Sequence, residues 1–541
     1  FWLKLCGSRQ PSRTTNCDTM ALGKVFSARD AVALIRDGST IATGGFVGIG
    51  FPEELALAVE QRFQETGQPR NLTLMYAAGQ GDGNAKGANH FSHPGLVKRV
   101  VGGHWGLVPK FGELAIRNQI EAYNLPQGVI SHLFRDIAAK RPRSISKVGM
   151  HTFVDPLYGG GRMNAATTEE IVERIEFDGE TYLAYKTWPL HVALLRGTTA
   201  DMDGNITMEK EALFLESLDM ALAAHNSGGL VMVQVERLAA VKSLDPRQVK
   251  IPGILVDCVV LSKPENHWQT FAEVYNPAFS HKIMVPTQTL KPMVMNERKI
   301  IARRAAMELT PKCVVNLGVG VPEGIARIAN EEDLLDSVTL TAEPGVIGGI
   351  PAGRPNFGAA INVAALIAQP SQFDFYDGGG LDLAFLGLAQ SDSEGNINVS
   401  KFGCKLAGAG GAINISQNAR KVVFVGTFTA SGLQVAIADG CLSIEREGQS
   451  RKFLKHVEHV TFSGNYAKER GQEVLYITER CVFALTKEGM ELIEIAPGID
   501  IDKDILAQMD FRPIVRNTLR LMDERIFRDA AMGLSLKNAR L

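Results

Sequence analysis

The residues best suited to chemistry in this chain are Thr341-Ala342-Glu343-Pro344-Gly345-Val346-Ile347-Gly348-Gly349, which follow the apolar run Leu334–Leu340. An apolar run closed by glycines predicts a strand, and so a carboxylate at its C-terminal end, where the active sites of open α/β sheets lie. A carboxylate can attack a carbonyl without a partner base, because it has no proton to lose. Taken alone, a Glu beside glycines more often marks a turn. An internal repeat reverses that weighting. Gly48-Ile49-Gly50-Phe51-Pro52-Glu53-Glu54-Leu55-Ala56 recurs as Gly318-Val319-Gly320-Val321-Pro322-Glu323-Gly324-Ile325-Ala326. His191–Leu195 with Gly204-Asn205-Ile206 likewise matches Asp382–Leu386 with Gly395-Asn396-Ile397 at the same internal spacing. Aligning Thr73–Gly79 on Thr339–Gly345 sets Glu343 opposite Ala77. A carboxylate found in only one of two equivalent turns is not required by the turn, which points to a role in a site.

Glycine-rich turns are the second candidate feature. Gly48-x-Gly50 and Gly318-x-Gly320 stand between a predicted strand and helix, a geometry that can present backbone N–H groups to an anion. Neither completes G-x-G-x-x-G, and no G-x-x-x-x-G-K-[ST] occurs, so the nucleotide fingerprints are missing. Tight turning explains these pairs equally well. Ala407-Gly408-Ala409-Gly410-Gly411-Ala412 reads either as a flexible loop or as a floor of N–H donors against which something comes close, and Gly378-Gly379-Gly380 carries the same ambiguity.

The elements that must carry these residues alternate between strand and helix. Ser27-Ala28-Arg29-Asp30 opens a helix to Arg36, Thr40–Thr43 is a strand, and Pro52-Glu53-Glu54 begins the next helix with proline and acids in its first turn. The alternation predicts an α/β fold: two related open domains with mostly parallel sheets, fused in one chain. The expected division is a disordered or non-native leader at 1–19, or the remnant of a targeting peptide, a first domain at 20–284, the end of a connector at 285–296, a second domain at 297–532 and a tail at 533–541; the Pro-rich stretch Lys263–Pro292 reads as the ordered connector.

Composition excludes several classes. With 541 residues, 45% hydrophobic and 21% charged, the chain suits a globular protein with more than one core. A net charge of −2 gives no global attraction to nucleic acid or to an anionic membrane, neither of which is expected as a partner. No apolar run approaches the roughly 20 residues that span a bilayer. The seven cysteines lack C-x-x-C pairs, and the pairs His90/His93 and His456/His459 lack the context of a zinc site, so no metal is expected. Scattered free thiols suit a reducing compartment: the cytoplasm, or the mitochondrial matrix if residues 1–19 belong to a targeting peptide.

Taken together, several motifs carry a resemblance. Glu343 with Gly348-Gly349, Pro126-Gln127-Gly128, Gly102-Gly103-His104-Trp105-Gly106, Phe373-Asp374-Phe375-Tyr376 and Gly408–Gly411 resemble family I coenzyme A transferases, most closely the single-chain acetate/propionate type with two fused halves. Asn89-His90-Phe91, His151–Pro156 and Ala224–Gly229 fit the same subgroup, and the match runs from about Ala28 to Met532. The resemblance implies ping-pong exchange of CoA between short-chain acyl-CoA and carboxylic acids through a glutamyl-CoA thioester on Glu343. It implies oxyanion donors at Gln127 and at the Gly410 N–H, and a grip on CoA by Gly318, Gly320, Gly408 and Gly411. No permanently bound cofactor is implied, CoA thioester being substrate and covalent intermediate; the family's habit is a homodimer or homotetramer. Pro344 departs from the family pattern, which has a small or polar residue after the glutamate and its proline two places on, where this chain has Val346. Two alternatives remain at this level: an acyl-CoA hydrolase on the same fold, and a non-catalytic acyl-CoA or effector-binding protein.

Overall fold

Residues 23–287 and 292–535 are described by the structure, a computed structural model. The expected leader at 1–19 lies outside the described residues, as do 288–291 of the connector and 536–541 of the tail. Two sheets organise the molecule. The first has eight strands, all parallel, in the spatial order Val25–Phe26, Cys258–Leu261, Leu230–Val235, Val192–Arg196, Thr40–Thr43, Leu72–Tyr76, Val97–Gly102 and Glu121–Asn124. The second has ten strands. Its central five, Thr339–Ala342, Val314–Leu317, Leu383–Gly387, Lys421–Val425 and Glu473–Ile477, are parallel, and antiparallel strands extend both sides. The fold is therefore the expected pair of related α/β units, with apolar strands buried between helical layers.

The repeat is visible bond by bond. The Thr40 N–H donates to His191 Nδ1 and the Val314 N–H to Asp382 Oδ2, each at 2.9 Å, so two different side chains hold the same strand start. Asn205 Oδ1 accepts from Gly253 N at 2.8 Å, and Asn396 Oδ1 from Gly464 N at 2.9 Å. Thr73 N donates to Ser39 O at 3.0 Å and Thr339 N to Cys313 O at 2.9 Å, which makes Ala77 and Glu343 structural counterparts. The glycine register is different. Gly318 N donates to Phe385 O and Gly44 N to Leu194 O, so the strand-end partner of Gly318 is Gly44 rather than Gly48. Pro52 comes eight positions after Gly44 but Pro322 only four after Gly318, and the first half uses the extra length in a reversal where Phe46 and Ile49 exchange backbone hydrogen bonds.

Local differences from expectation are small. The first helix runs Ala28–Ala33, capped by Ser27 Oγ accepting from Asp30 N at 3.1 Å, and stops before Arg36. The run Leu334–Leu340 is only partly strand: Leu334 N reaches back to Ala329 O at 2.7 Å, Leu335–Ser337 forms a 3-10 turn, and the strand starts at Thr339. A small apolar cluster joins the two sheets, including Phe46, Ala78 and Phe279 from one side and Ala342, Val346 and Phe357 from the other. Among the described residues no helix is long and apolar enough to cross a membrane.

Candidate active site

Glu343 comes directly after its strand. The Ala342 carbonyl accepts from Gly345 N at 3.2 Å, which puts Glu343 and Pro344 at the centre of a tight turn, and Val346–Ile347 returns antiparallel against Thr341–Ala342. Gly345 has φ 118°, and a Cβ there would lie 2.0 Å from the Ile367 carbonyl oxygen, so glycine alone fits. Pro344 removes an N–H where no ladder bond is needed and keeps Glu343 out of helical geometry. Ala342 and Val346, each 1% exposed, pack into the cluster between the sheets and anchor both sides of the turn. Burying such a valine contributes about 1.5–3 kcal/mol, which makes this turn a rigid support.

Its carboxyl is nearly buried, and Oε2 has no hydrogen-bond partner among the described residues. Burial pushes the Glu343 pKa up to about 7, with its own backbone amide and the Asn316 side chain opposing the shift. Such a group is costly to ionise. Once ionised it carries few hydrogen bonds that must break before attack, which favours nucleophilic chemistry.

Glu343 lines a cavity of about 450 Å³ between the carboxyl ends of the two sheets. Asn316 and Gly318, at the end of one central strand, and Leu386 and Gly387, at the end of its neighbour, form one wall. These strands connect onward to opposite sides of the sheet, the crevice in which open α/β folds bind ligands. The facing wall comes from the first half: Gln127, His104, Phe46 and Val47. The volume suits an organic ligand and a few converging polar groups.

The loop Gly408–Gly411 is the seam between the walls. Trp105 N and Gly106 N donate to Ala407 O at 2.7 and 2.9 Å, Ala409 N donates to Asn124 Oδ1 at 2.9 Å, and Gln127 N donates to Gly410 O at 3.0 Å. Gly408 has φ 78°, and a Cβ on it would stand 2.8 Å from Trp105 N. The glycines thus serve close backbone approach between halves, and the flexible-loop reading fails.

This stitching corrects the expected donors. The Gly410 N–H donates to Gly103 O at 2.7 Å, so it is not free to meet an oxyanion. Gly408 N is held by Ser400 O at 2.9 Å and Gly318 N by Phe385 O at 2.9 Å, leaving these two to line the cavity by their small size. Gly411 differs from all three. Its N–H has no acceptor among the described residues, and a Cβ on it would lie 3.5 Å from Glu343 Cγ. Gly320 does not line the cavity: it is exposed, and its N–H is taken at 2.8 Å by Oε1 of Glu323, the first residue of the helix Glu323–Glu331. Its φ of 90° serves the turn.

Gln127 is the first residue of the helix Gln127–Ala138, comes after Pro126, is 2% exposed and lines the cavity. Its Nε2 gives one proton to Gln369 Oε1 at 3.2 Å and keeps a second. Three further residues of the cavity were not singled out in the sequence. Asn316 is fully buried, donates to the Tyr376 hydroxyl at 3.2 Å and leaves Oδ1 without a partner among the described residues. Its counterpart in the repeat is Ala42, so the comparison that promoted Glu343 over Ala77 would have found it. His104, quoted only as part of a motif, is held down to about 4 by burial and then by the charge of Arg354, and is a neutral imidazole. Phe271, from the connector, lies on Gly48, where a Cβ would come 2.4 Å from its Cγ. No local pattern announces that contact.

Comparison with known proteins places the geometry in context. A family model described as "Coenzyme A transferase" matches residues 25–262. The caffeate CoA-transferase of Acetobacterium woodii is 50% identical over 519 residues, 95% of this chain and 99% of that protein. Acetate CoA-transferase YdiF of Escherichia coli O157:H7 is 44% identical over 516 residues, 95% of this chain and 97% of that protein. The solved structure of an acyl-CoA transferase (YdiF) from E. coli O157:H7, described as a thioester complex with CoA, has a TM-score of 0.90 at 43% identity and covers 96% of this chain and 98% of that one.

Proposed function

The chain belongs to the coenzyme A transferase family, and from that premise we propose that it moves CoA between a short-chain acyl-CoA and a carboxylic acid such as acetate or propionate, through a glutamyl-CoA thioester on Glu343. The observation that carries this reading is the buried Glu343 carboxyl with an unpartnered oxygen in a cavity between the halves. Its carboxylate attacks the acyl-CoA carbonyl; the C–S bond breaks, giving an acyl-glutamyl anhydride and CoA thiolate. The thiolate then attacks the glutamyl carbonyl, forming the enzyme thioester and releasing the first acid as carboxylate. The acceptor carboxylate runs these steps in reverse.

Each addition places negative charge on a tetrahedral oxygen, and preorganised donors there are worth about 10²–10³ in rate. The second Gln127 Nε2 proton and the unengaged Gly411 N–H fit that role, one from each half. Contacts to the unreactive length of CoA supply the binding energy that drives a weak nucleophile at the reacting carbon.

The relatives' names diverge between acetate and caffeate, and one observation favours a larger acid as a second reading. Phe46, Phe271 and Phe357 all line the cavity, with Phe46 and Phe357 5.5 Å apart between ring centroids, a wall suited to an apolar or aryl group. The test is intact mass after incubation with propionyl-CoA alone, with peptide mapping around Glu343. A CoA-sized increment on that peptide, discharged by acetate, supports the short-chain reading. Discharge by caffeate but not acetate would support the aryl one, and free CoA accumulating on unmodified protein would point to hydrolysis.

A further inference from the structure

A second buried glutamate stands behind the cavity, at the head of a chain of hydrogen bonds that ends at Gln127, while its own Oε1 has no partner among the described residues. Glu216 precedes the helix Ser217–Asn226 and is fully buried. Its Oε2 accepts from Gln369 Nε2 at 2.9 Å, and the same Nε2 donates to Ser131 Oγ at 2.8 Å. Ser131 Oγ uses its own proton on the Gln127 carbonyl at 3.1 Å, so it can only accept from Gln369. The Gln369 Oε1 is thereby turned toward Gln127, whose Nε2 donates to it at 3.2 Å. Gln369 is also tied through its backbone, its N–H donating to Leu215 O at 3.1 Å. All four side chains are at most 2% exposed.

Together these bonds decide the orientation of the Gln127 amide. An unconstrained glutamine amide rotates freely between two faces, one offering protons and the other a lone pair to the same spot. If Gln127 presented its oxygen to the cavity, it would repel a developing oxyanion. We propose that Glu216, acting with Gln369 and Ser131, is a positioning residue that holds the Gln127 amide with its N–H side available to the reacting carbonyl. The inference rests on the oxyanion role given to Gln127 above.

The protonation of Glu216 fits this task. Burial pushes its carboxyl up to about 8, with its own backbone amide opposing and Asp219 adding to the shift, so at neutral pH it is an uncharged acid. A neutral carboxyl accepts from Gln369 without setting a negative charge behind the oxyanion. Glutamine at 216 can supply the same acceptor. The relay crosses the molecule, since Glu216, Ser131 and Gln127 come from the first half and Gln369 from the second.

The test is a double-mutant cycle between positions 216 and 127, read by single-turnover thioester formation and steady-state kcat and KM with propionyl-CoA and acetate. Glu216→Ala is expected to lower kcat roughly tenfold to a hundredfold, below the effect of removing an oxyanion donor, with KM for propionyl-CoA within about twofold. Glu216→Gln should stay within about threefold of the parent. Glu216→Ala added to Gln127→Ala should cost nothing further, because a residue acting only through Gln127 has nothing left to position. Multiplicative losses would overturn the proposal, as would a Glu216→Ala enzyme with parental kcat and only a lowered Tm. Should Glu216→Ala not fold, Ser131→Ala removes one hydroxyl from the same relay, and its cycle with Gln127→Ala decides by the same criterion. A Gln127→Ala enzyme with unchanged kcat would remove the underlying oxyanion reading as well, which separates the two failures.

Discussion

Five parallel strands are equivalent in the two halves, yet Leu72–Tyr76 leads into Ala77 whereas Thr339–Ala342 leads into Glu343. The course of the chain beyond each strand explains the difference. In the first half the sheet continues through two more parallel strands, Val97–Gly102 and Glu121–Asn124, and the loop between them packs on the turn: a Cβ on Gly103 would lie 2.0 Å from the Ala77 carbonyl oxygen. Ala77 is fully buried, and no room remains there for a carboxylate. In the second half the chain folds back at once as an antiparallel hairpin, so the same position borders a gap. Gln127, positioned by the two strands that the second half lacks, fills the other side of it. Each half supplies what its own topology denies to the other, and for that reason the site lies between them.

The largest expected effect concerns the asymmetric residue itself. Glu343→Gln should lose turnover by roughly 10⁴-fold or more and leave no CoA adduct in the intact mass, because no other group replaces the nucleophile. Wild-type-like turnover in that variant would break the comparison outright. Next comes the contribution of the first half: Gln127→Ala should lower kcat by about 10²–10³-fold while KM for acyl-CoA changes little. A loss confined to KM would instead make Gln127 a ground-state binding residue.

The pH dependence sharpens the contrast between a buried alanine and a buried acid. Only ionised Glu343 attacks, so single-turnover thioester formation should fall about tenfold per unit as pH drops below about 7, and reach a plateau above it. Stability runs the opposite way. The folded state holds this proton more tightly than the unfolded chain, with a pKa of about 7 against 4.5. The stability it contributes is therefore full below pH 4.5 and is lost as pH rises through 7. Glu343→Gln should consequently gain on the order of 3 kcal/mol over the parent between acid and pH 8, read from denaturant midpoints at the two pH values. Parallel stability curves would place Glu343 in a more solvated setting than its burial implies.

Asn316, which faces the site where the first half has Ala42, should show a smaller effect. Asn316→Ala is expected to cost about tenfold in kcat/KM, since it removes one polar group beside Glu343, whereas a substitution at Ala42 would disturb only the packing of apolar neighbours and be read only in Tm. The smallest effect is expected at Gly320. Because its φ of 90° strains an L-residue while the cavity lies elsewhere, Gly320→Ala should lower stability by about 1 kcal/mol and leave KM for acyl-CoA within about twofold. A large rise in KM would return Gly320 to the CoA grip.

The legible and illegible parts of the site differ in how far apart the participating residues lie. The duplicated units, the mostly parallel sheets and the position of Glu343 emerge from local periodicity and from self-comparison, and Asn316 was within reach of the same comparison against Ala42. Which glycine amide is free was decided elsewhere. Gly410 loses its N–H to Gly103 and Gly411 keeps its own through contacts between segments some three hundred residues apart, and Phe271 reaches the cavity from a connector without periodic pattern. The sequence alone determined the repeat, the fold class and the one carboxylate that breaks the symmetry, because strand and helix patterns and their exceptions are written in neighbouring residues. Only the tertiary structure decided which amides remain unpaired, how the Gln127 side chain is turned and how far Glu343 is desolvated, because a hydrogen bond or a lost water shell depends on what the rest of the chain brings to that point in space.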